Sequence, residues 1–385
     1  MPASIYSFNP EDGTKEYYLT VVPDVSSSFE DQLSSVFEIY NKALLDLNLS
    51  LNSGVYVTIY ISDAANQESV VRDSIYVKEL FEAKIASSVL QIPPMFSKIA
   101  LLAYHIKPDA HYDIQRLLIR GVDSRYMGIS VSNGHYQHNY LKNCLSSELG
   151  SNEEQAKWLL NALNNFCLDS KSQLENIVRT WLYVHDLDNN YEGMVKVRRE
   201  IFKEWNLTEN TQFPASTGIG GRVENSKHTL LIDAIIINGL EKEQFVRMEA
   251  LSHMNPTIKY GVTFERGVQI KYGDRSHQYI SGTASIDNKG EVVHKGDVIR
   301  QADRMLENVS VLLETSNSSL GEVAYFIVYL RDFSDAVTVN AHLSEKLPPN
   351  IPFLILHANV CRPGWLIEID GISISGSGDS KYKCF

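Results

Sequence analysis

The chain has 385 residues, of which 44% are hydrophobic, 21% charged and 10% aromatic, and its net charge is −12. Because this length exceeds the usual size of one hydrophobic core, we expect two or three compact units. The acidic balance, without basic patches interleaved with aromatic residues, gives no support to a nucleic-acid partner.

The sequence also carries no sign of export or membrane insertion. No run approaches the roughly 18 apolar residues of a membrane helix, and the start, MPASIYSFNPEDGTK, has neither the basic nor the apolar region of a secretory leader. We therefore expect a cytoplasmic protein with no membrane association. Four cysteines lie scattered without CxxC spacing, which argues against a disulfide framework or a cysteine zinc site.

Three copies of one pattern follow each other along the chain. Each opens with a helical pattern that contains a glutamine, at positions 32, 155 and 301. A tyrosine stands 28 residues after each glutamine and an aspartate 31 residues after it, giving the pairs Tyr60 and Asp63, Tyr183 and Asp186, and Tyr329 and Asp332. Such a fixed register indicates an internal repeat.

The order of elements is the same in each copy. After the first helical pattern comes a β-branched and aromatic run, typical of a strand: VYVTIYIS, IVRTWLYV and AYFIVYL. A second helical pattern follows: SVVRDSIYVKELFEA, YEGMVKVRREIFKEW and AVTVNAHLSEKL. A final apolar strand closes each copy: KIALLAYHI, TLLIDAIIING and WLIEIDGISI. Further strands, YMGISVS and YISGTASI, precede the second and third copies.

This pattern predicts an α+β fold of three tandem modules. Each module would be a mixed sheet with two helices on one face, and the bare faces of the three sheets would meet in an internal pseudo-trimer. We expect modules at 1–120, 121–245 and 246–376, followed by a flexible tail at 377–385. The chain would be a monomer in this form, with further association possible.

The final strands differ in one position that matters for chemistry. Aligning Asp233 of copy two with Asp370 of copy three places Leu231 opposite Glu368. A carboxylate in an apolar strand needs a partner or a pocket, and Arg362 is a candidate partner. Alternatively, Glu368 and Asp370 simply face solvent on an alternating strand, and Cys361 is a small buried hydrophobe.

Two other features point away from metal and nucleotide binding. His135 and His138 in GHYQHNY lie in a segment that resembles a loop and has no third ligand, so we expect no metal there. The sequence GIGG at 218–221 lacks GxGxxG spacing and is interpreted as a loop, so no nucleotide cofactor is expected.

Residues 279–371, from YISGTASIDNKGEVVHKGD through YLRD to CRPGWLIEIDG, resemble the RidA/YjgF family, also known as endoribonuclease L-PSP-like or translation inhibitor proteins. That family forms trimers of such modules. A closer likeness is to the chorismatases, and it is carried by residues 179–202, 213–221, 260–270 with 281–287, and 360–371. WLYVHDLDNNYEG and FERG depart from the chorismatase pattern, so the resemblance implies chorismate or a close relative as substrate.

The resemblance implies an activity and roles for individual residues. Chorismatases cleave chorismate to pyruvate and a hydroxylated benzoate or dihydrobenzoate without a cofactor. By resemblance, Glu368 is the acid that protonates the enolpyruvyl methylene, and Trp365 with the apolar strand raises its pKa. Cys361 and Gly282 match the group that forms 3-hydroxybenzoate. The implied carboxylate-binding residues are Arg266, Arg331 and Arg362.

Two other functions stay open from the sequence alone. A RidA-like imine or enamine deaminase would use Arg362 to hold a substrate carboxylate and Glu368 to position water. A non-catalytic binder of a small carboxylate ligand would keep the scaffold and lack the reaction.

Overall fold

The computed structural model describes residues 3–10, 13–108, 115–120, 127–257 and 261–385. Within these ranges the strands form three mixed sheets, and α-helices cover the outer face of each sheet. None of the helices in the described ranges is long and apolar enough to cross a membrane. The predicted α+β fold of three tandem modules is confirmed.

The first module has a five-stranded sheet in the order β1-β2-β5-β3-β4, in which only β3 and β4 run parallel. Its elements are β1 (Ala3–Phe8), β2 (Lys15–Val21), α1 (Phe29–Asp46), β3 (Gly54–Ile61), α2 (Ala64–Asp73), α3 (Ile75–Glu82), β4 (Ala86–Gln91) and β5 (Ile99–Lys107). The single second helix predicted here is wrong. Ser74 divides it, because its N–H donates to Val71 and its hydroxyl caps α3 at Val77.

The second module has a six-stranded sheet in the order β10-β9-β11-β8-β7-β6. Its elements are β6 (Gln115–Arg120), β7 (Met127–Ser132), β8 (Gln137–Leu145), α4 (Asn152–Asp169), β9 (Ile177–Val184), α5 (Leu187–Glu204), β10 (Ala215–Gly220) and β11 (Leu230–Asn238).

The third module repeats this plan in the order β12-β13-β14-β17-β15-β16. Its elements are β12 (Phe245–Met248), β13 (Gly267–Lys271), β14 (Ser276–Ala284), α6 (Val298–Glu314), β15 (Val323–Leu330), α7 (Ala336–Lys346), β16 (Phe353–His357) and β17 (Ile367–Ser375). As in the other two modules, one edge pair of strands is parallel, here β15 and β16.

The residues of the repeat have the same structural role in every module. The glutamine amide joins the first helix to the chain just before the last strand: Lys98, Thr229 and Leu366 each donate a backbone N–H to the glutamine Oε1, at 2.8 to 2.9 Å. The aspartates each precede a helical turn, at Asp63, Asp186 and Asp332, and of these three side chains that of Asp332 accepts a capping hydrogen bond, from Ser334. Thus the register predicted from sequence reflects the glutamine contact that recurs in each module.

The three sheets bring their inner faces together. Strand β4 contacts β8, β10 contacts β14, and β2 contacts β15, so each module touches both others. Tyr60, Tyr183 and Tyr329 all lie in one buried cluster shared by the three modules, while each outer helical layer has a cluster of its own. This arrangement is the predicted internal pseudo-trimer.

Several predicted boundaries need correction. Strand β6 pairs with β7, so the second module includes residues 115–120 and the boundary at 120 is wrong. Residues 121–126 lie outside the described part of the chain, and the boundary at 245 falls on the first residue of β12. Gly218 and Gly220 belong to β10, so the loop predicted for GIGG is wrong.

The predicted flexible tail is also wrong. The side chain of Phe385 is 5% exposed, and its ring lies 4.9 Å from those of His138 and His277. Its backbone N–H donates to Asp274 at 2.9 Å, and Gly273 donates to the carbonyl of Lys383 at 2.7 Å. Residues 377–385 therefore pack against the second and third modules, because aromatic burial and hydrogen bonds hold them there.

Candidate active site

A cavity of about 760 Å³ lies between the second and third modules. Helix α5 and strand β10 line it on one side, and β14, β17 and the loop before β17 on the other. It contains six of the seven residues predicted from sequence, namely Glu368, Cys361, Arg362, Arg266, Gly282 and Trp365. Its size suits a small ligand.

Glu368 lies near the start of β17 and is only 4% exposed. A β-bulge in the pairing of β14 with β17, between Ile280 and Thr283, places Gly282 beside it. A Cβ added to Gly282 would overlap Glu368 Oε1 and come within 3.3 Å of Thr217. Glycine at 282 therefore leaves the space that the carboxyl group occupies.

The surroundings of Glu368 favour its neutral form. Burial and, after it, the neighbouring Asp370 carboxylate raise its pKa to about 8, although Arg266 and Arg179 act in the opposite direction. The predicted desolvation is present, but a second carboxylate contributes beside it. At neutral pH the group is a carboxylic acid with a proton to donate.

Asp370 lies two residues further along β17 and forms an ion pair with Arg179 of β9, at 3.2 Å with both side chains fully buried. Trp181 Nε1 and the Tyr329 hydroxyl also donate to Asp370 Oδ2, each at 3.2 Å. Burial raises the pKa of Asp370, although Arg179 opposes this. The solvent-facing alternative for Glu368 and Asp370 is wrong, because both point into the contact between modules.

Cys361 is half-buried in the loop before β17, and its thiol donates to the carbonyl of Gly218 at 3.0 Å. Burial, with the nearby Glu368 carboxyl, raises the pKa of this thiol well above its usual value. Cys361 is therefore a neutral hydrogen-bond donor on the cavity wall and is not a thiolate nucleophile.

Arginine side chains give the cavity its positive character. Arg266 is held by the backbone and side-chain oxygens of Asn255 at 3.2 Å. Arg362 donates to the carbonyl of Gly290 at 2.9 Å and lies over the ring of Trp365, 4.9 Å from its centroid. Both guanidinium groups line the cavity.

Arg331 does not line this cavity. Its guanidinium donates to both carboxylate oxygens of Asp188, at 2.8 and 3.0 Å, and to the carbonyl of Val360. These bonds direct the side chain away from the cavity and join the third module to α5 of the second. The predicted role of Arg331 in carboxylate binding is therefore replaced by a contact between modules.

Sequence reasoning missed the contribution of α5. Arg198 is buried, and it donates to Thr263 at 3.0 Å and to Ser216 at 3.2 Å while lining the cavity. Tyr191, two turns earlier on the same helix face, also lines it, and Lys196 and Arg199 stand at its exposed rim. The signal was present: an arginine at i+7 from a tyrosine interrupts the apolar stripe of this helix.

One histidine of the predicted pair, His138, has a structural role, and the loop predicted for it is wrong. His138 lies in β8, buried, with its Nε2 at 2.9 Å from the hydroxyl of Tyr272. Burial lowers its pKa to about 3, so the ring is neutral. Among the described residues, no group of three histidine, cysteine, aspartate or glutamate side chains is arranged to hold a metal ion.

Comparison with known proteins identifies the family. Residues 269–375 match the Endoribonuclease L-PSP family. The chain is 30% identical over 96 residues to 3-aminoacrylate deaminase RutC of Acinetobacter baylyi, covering 25% of this chain and 76% of that protein. It is 28% identical over 220 residues to 3-hydroxybenzoate synthase of Streptomyces hygroscopicus, covering 51% of this chain and 63% of that protein. A chorismatase of Streptomyces rapamycinicus is 26% identical over 226 residues, covering 51% and 64%. The chain belongs to the Endoribonuclease L-PSP (RidA/YjgF) family.

A solved structure extends the likeness to nearly the whole chain. A chorismatase crystal structure superimposes with a TM-score of 0.66, covering 94% of this chain and all of that one at 16% identity. This match shows that the fold is shared. The sequence alignments span less than two thirds of the two Streptomyces relatives.

Proposed function

We propose that the protein cleaves chorismate, or a close relative, and releases pyruvate and a hydroxybenzoate, with Glu368 as the acid. The observation that carries this proposal is a neutral, buried carboxylic acid facing a cationic cavity of about 760 Å³. The names of the two Streptomyces relatives support the same reaction class.

The cavity offers what a dicarboxylate with an enol ether requires. Guanidinium groups bind carboxylates through paired hydrogen bonds, and Arg198, Arg266 and Arg362 all line the cavity. The apolar and aromatic walls at Val262, Phe264 and Trp365 suit the ring of the substrate. We propose that these three arginines bind the two carboxylates of the substrate. Arg198 thus takes the place of Arg331 in the set predicted from sequence.

The reaction begins with proton transfer. Glu368 gives its proton to the methylene carbon of the enolpyruvyl group, and the ether carbon becomes an oxocarbenium ion. The bond between the ring carbon and the ether oxygen then breaks, and pyruvate leaves with that oxygen as its keto oxygen. The oxygen of the neighbouring ring hydroxyl bonds to the vacated carbon as an epoxide, and its proton returns to the Glu368 carboxylate. Opening of the epoxide with loss and return of one proton gives the aromatic hydroxybenzoate. The cleavage draws its acid and its carboxylate-binding groups from the protein itself.

We further propose 3-hydroxybenzoate as the aromatic product. Pyruvate and 3-hydroxybenzoate together contain the atoms of chorismate, whereas a dihydrodiol would contain one additional water. Gly282 leaves room for the carboxyl group of Glu368 at the cavity wall, and the neutral Cys361 thiol, bonded to Gly218, adds no base to activate water. The relative named 3-hydroxybenzoate synthase supports this product.

The test is turnover of chorismate by the purified protein. We expect release of pyruvate together with 3-hydroxybenzoate, identified by mass and retention time, and loss of both in Glu368→Gln. A dihydrodiol product would keep the reaction class and contradict the proposed product. Chorismate binding by calorimetry without any pyruvate would identify a non-catalytic binder. Ammonia release from an imine, with no reaction on chorismate, would instead support the deaminase alternative.

A further inference from the structure

A buried ion pair that joins two modules lies directly beside the proposed acid. Glu368 and Asp370 are two residues apart on β17, so their side chains fall on the same face of the strand. Arg179 reaches Asp370 from β9 of the second module, and neither partner is exposed to solvent. Only one guanidinium nitrogen, Nη2, makes the contact, at 3.2 Å.

The hydrogen bonds to Asp370 are one-sided. Arg179, Trp181 and Tyr329 all donate to Oδ2, and hydrogen bonding from Thr217 also lowers the pKa of Asp370, whereas Oδ1 is buried and has no hydrogen-bond partner among the described residues within 3.5 Å. Arg179 also interacts with groups other than Asp370. Its Nη2 donates to Thr217 at 2.6 Å, and its guanidinium lies over the ring of Trp181, 4.4 Å from the centroid. The negative charge of Asp370 is thus only partly compensated.

The equivalent aspartate in the second module provides a contrast. Asp233 accepts hydrogen bonds on both oxygens, from the backbone N–H of Asn143 at 2.7 Å and Ser88 at 2.8 Å on Oδ1 and from Lys142 on Oδ2. Leu231 occupies the position of Glu368. Asp233, whose two carboxylate oxygens both accept hydrogen bonds, therefore stands beside the apolar Leu231. Asp370, whose Oδ1 accepts no hydrogen bond from the described residues, stands beside Glu368.

From this contrast we infer that Asp370 is a positioning residue that keeps Glu368 protonated, and that Arg179 limits how strongly it does so. Two carboxylates in one buried site cannot both ionise easily. Because Arg179 belongs to the second module, the contact between modules controls the proton on Glu368. The catalytic consequence rests on the proposed function, whereas the effect on ionisation does not.

Other charged and titratable groups also face Glu368. Arg266 lies before β13, Tyr191 and Arg198 project from α5, and Cys361 lies in the loop before β17. Arg362, Glu153, Glu192, Lys196 and Arg199 stand elsewhere on the cavity wall. Among the carboxylates, Asp370 is the one that raises the pKa of Glu368, after burial, and this agrees with the geometry.

The experiment measures the ionisation of Glu368 directly. Protein labelled with ¹³C at the glutamate carboxyl is titrated by NMR, and the signal is assigned by its loss in Glu368→Gln. Asp370→Asn keeps the hydrogen-bond acceptor for Arg179, Trp181 and Tyr329 but removes the charge. We expect the pKa of Glu368 to fall by about one unit or more, the size of a close charge effect, and the alkaline limb of kcat/KM for pyruvate release to move down equally.

A second variant and a matched control keep the test sharp. Arg179→Gln should move the pKa of Glu368 in the opposite direction, upward, and it serves as well if Asp370→Asn does not fold. Asp233→Asn removes the equivalent charge at the other interface and should leave the pKa of Glu368 unchanged. An unchanged pKa in both Asp370→Asn and Arg179→Gln would overturn the inference, even if chorismate is cleaved. A shifted pKa without chorismate cleavage would uphold it and reject only the proposed function.

Discussion

The interface between modules one and two and that between modules two and three use equivalent strands, yet they are filled differently. The first brings β4 against β8 and the second brings β10 against β14. At the first, a cavity of only about 10 Å³ remains beside Leu231, whereas the second encloses about 760 Å³ beside Glu368. One interface is a packed core and the other a binding site.

The difference between the two interfaces comes from the residues at a β-bulge that both modules share. Both β8 and β14 carry two residues opposite a single aspartate of the closing strand. In β8 these are Lys142 and Asn143, and the lysine reaches the buried Asp233 and fills the interface. In β14 they are Ser281 and Gly282, which leave space. The comparison teaches that small residues at this shared bulge, together with one carboxyl group on the closing strand, can turn a packed contact between modules into a binding cavity.

Replacing the acid should have the largest effect. Glu368→Gln removes the proton donor and keeps the size of the side chain, so we expect pyruvate release from chorismate to fall by about 10² to 10⁴-fold. Circular dichroism and unfolding temperature should match those of the wild type. Leu231→Gln at the equivalent position serves as the control for a polar residue in this strand and should retain turnover. Unaltered rates in Glu368→Gln would place the acid elsewhere.

Breaking the packed interface should affect stability and not chemistry. Asp233→Asn leaves the Lys142 ammonium buried without its counter-ion, which should lower the free energy of unfolding by about 3 to 5 kcal/mol. Urea denaturation measures this loss. At a temperature where the variant stays folded, kcat should remain within about twofold of the wild type, a small energy by the tenfold-per-1.36 kcal/mol relation. A large fall in kcat under those conditions would show that the two interfaces are not separable.

Filling the space at the bulge should have an intermediate effect. The Cβ of Gly282→Ala would overlap Glu368 Oε1, and relieving such overpacking costs about 1 to 3 kcal/mol. If the displaced carboxyl group loses the same energy from its contact with the transition state, kcat falls by about 5- to 150-fold. Gly376→Ala is the control, because its Cβ would meet no atom within 4 Å. Equal kinetics in the two variants would show that the bulge does not position the acid.

Removing Arg331 should have the smallest effect. Its side chain pairs with the exposed Asp188 and does not line the cavity, so Arg331→Ala should lower stability by no more than about 1 kcal/mol. The KM for chorismate should change by less than about threefold. Arg198→Ala, which removes a cavity residue, should raise KM by tenfold or more, as expected for a charged hydrogen bond. The reverse ranking would restore the sequence-based role of Arg331.

The sequence predicted the repeated elements well because each depends on local periodicity. Strands β3, β9 and β15 are runs of β-branched and aromatic residues, and the helices before them carry regular apolar stripes. Short edge strands escaped notice, since ASTGIG in β10 contains two glycines and little β-branched content. The tail was misjudged because a polar segment ending in Cys384 and Phe385 reveals nothing of the aromatic surface that receives it.

Sequence reasoning could locate the site where a residue type does not fit the strand or helix that contains it. Glu368 interrupts an apolar strand and could be singled out by that alone. Gly282 was named only because it matches the chorismatase pattern. Arg198 also interrupts the apolar stripe of its helix, but it was passed over because an arginine on a helix ordinarily faces solvent. Arg331 was misplaced because no local pattern reveals that Asp188, 143 residues away along the chain, lies within hydrogen-bond distance.

The central claim is that Glu368 acts as a neutral acid, and the pH dependence of kcat/KM tests it most directly. Its pKa of about 8 means that the protonated form predominates below that pH and is lost above it. Pyruvate release from chorismate by the wild type, measured from pH 5.5 to 10, should therefore be highest below pH 8 and fall about tenfold per unit above it. A rate that holds steady or rises up to pH 10 would contradict the account.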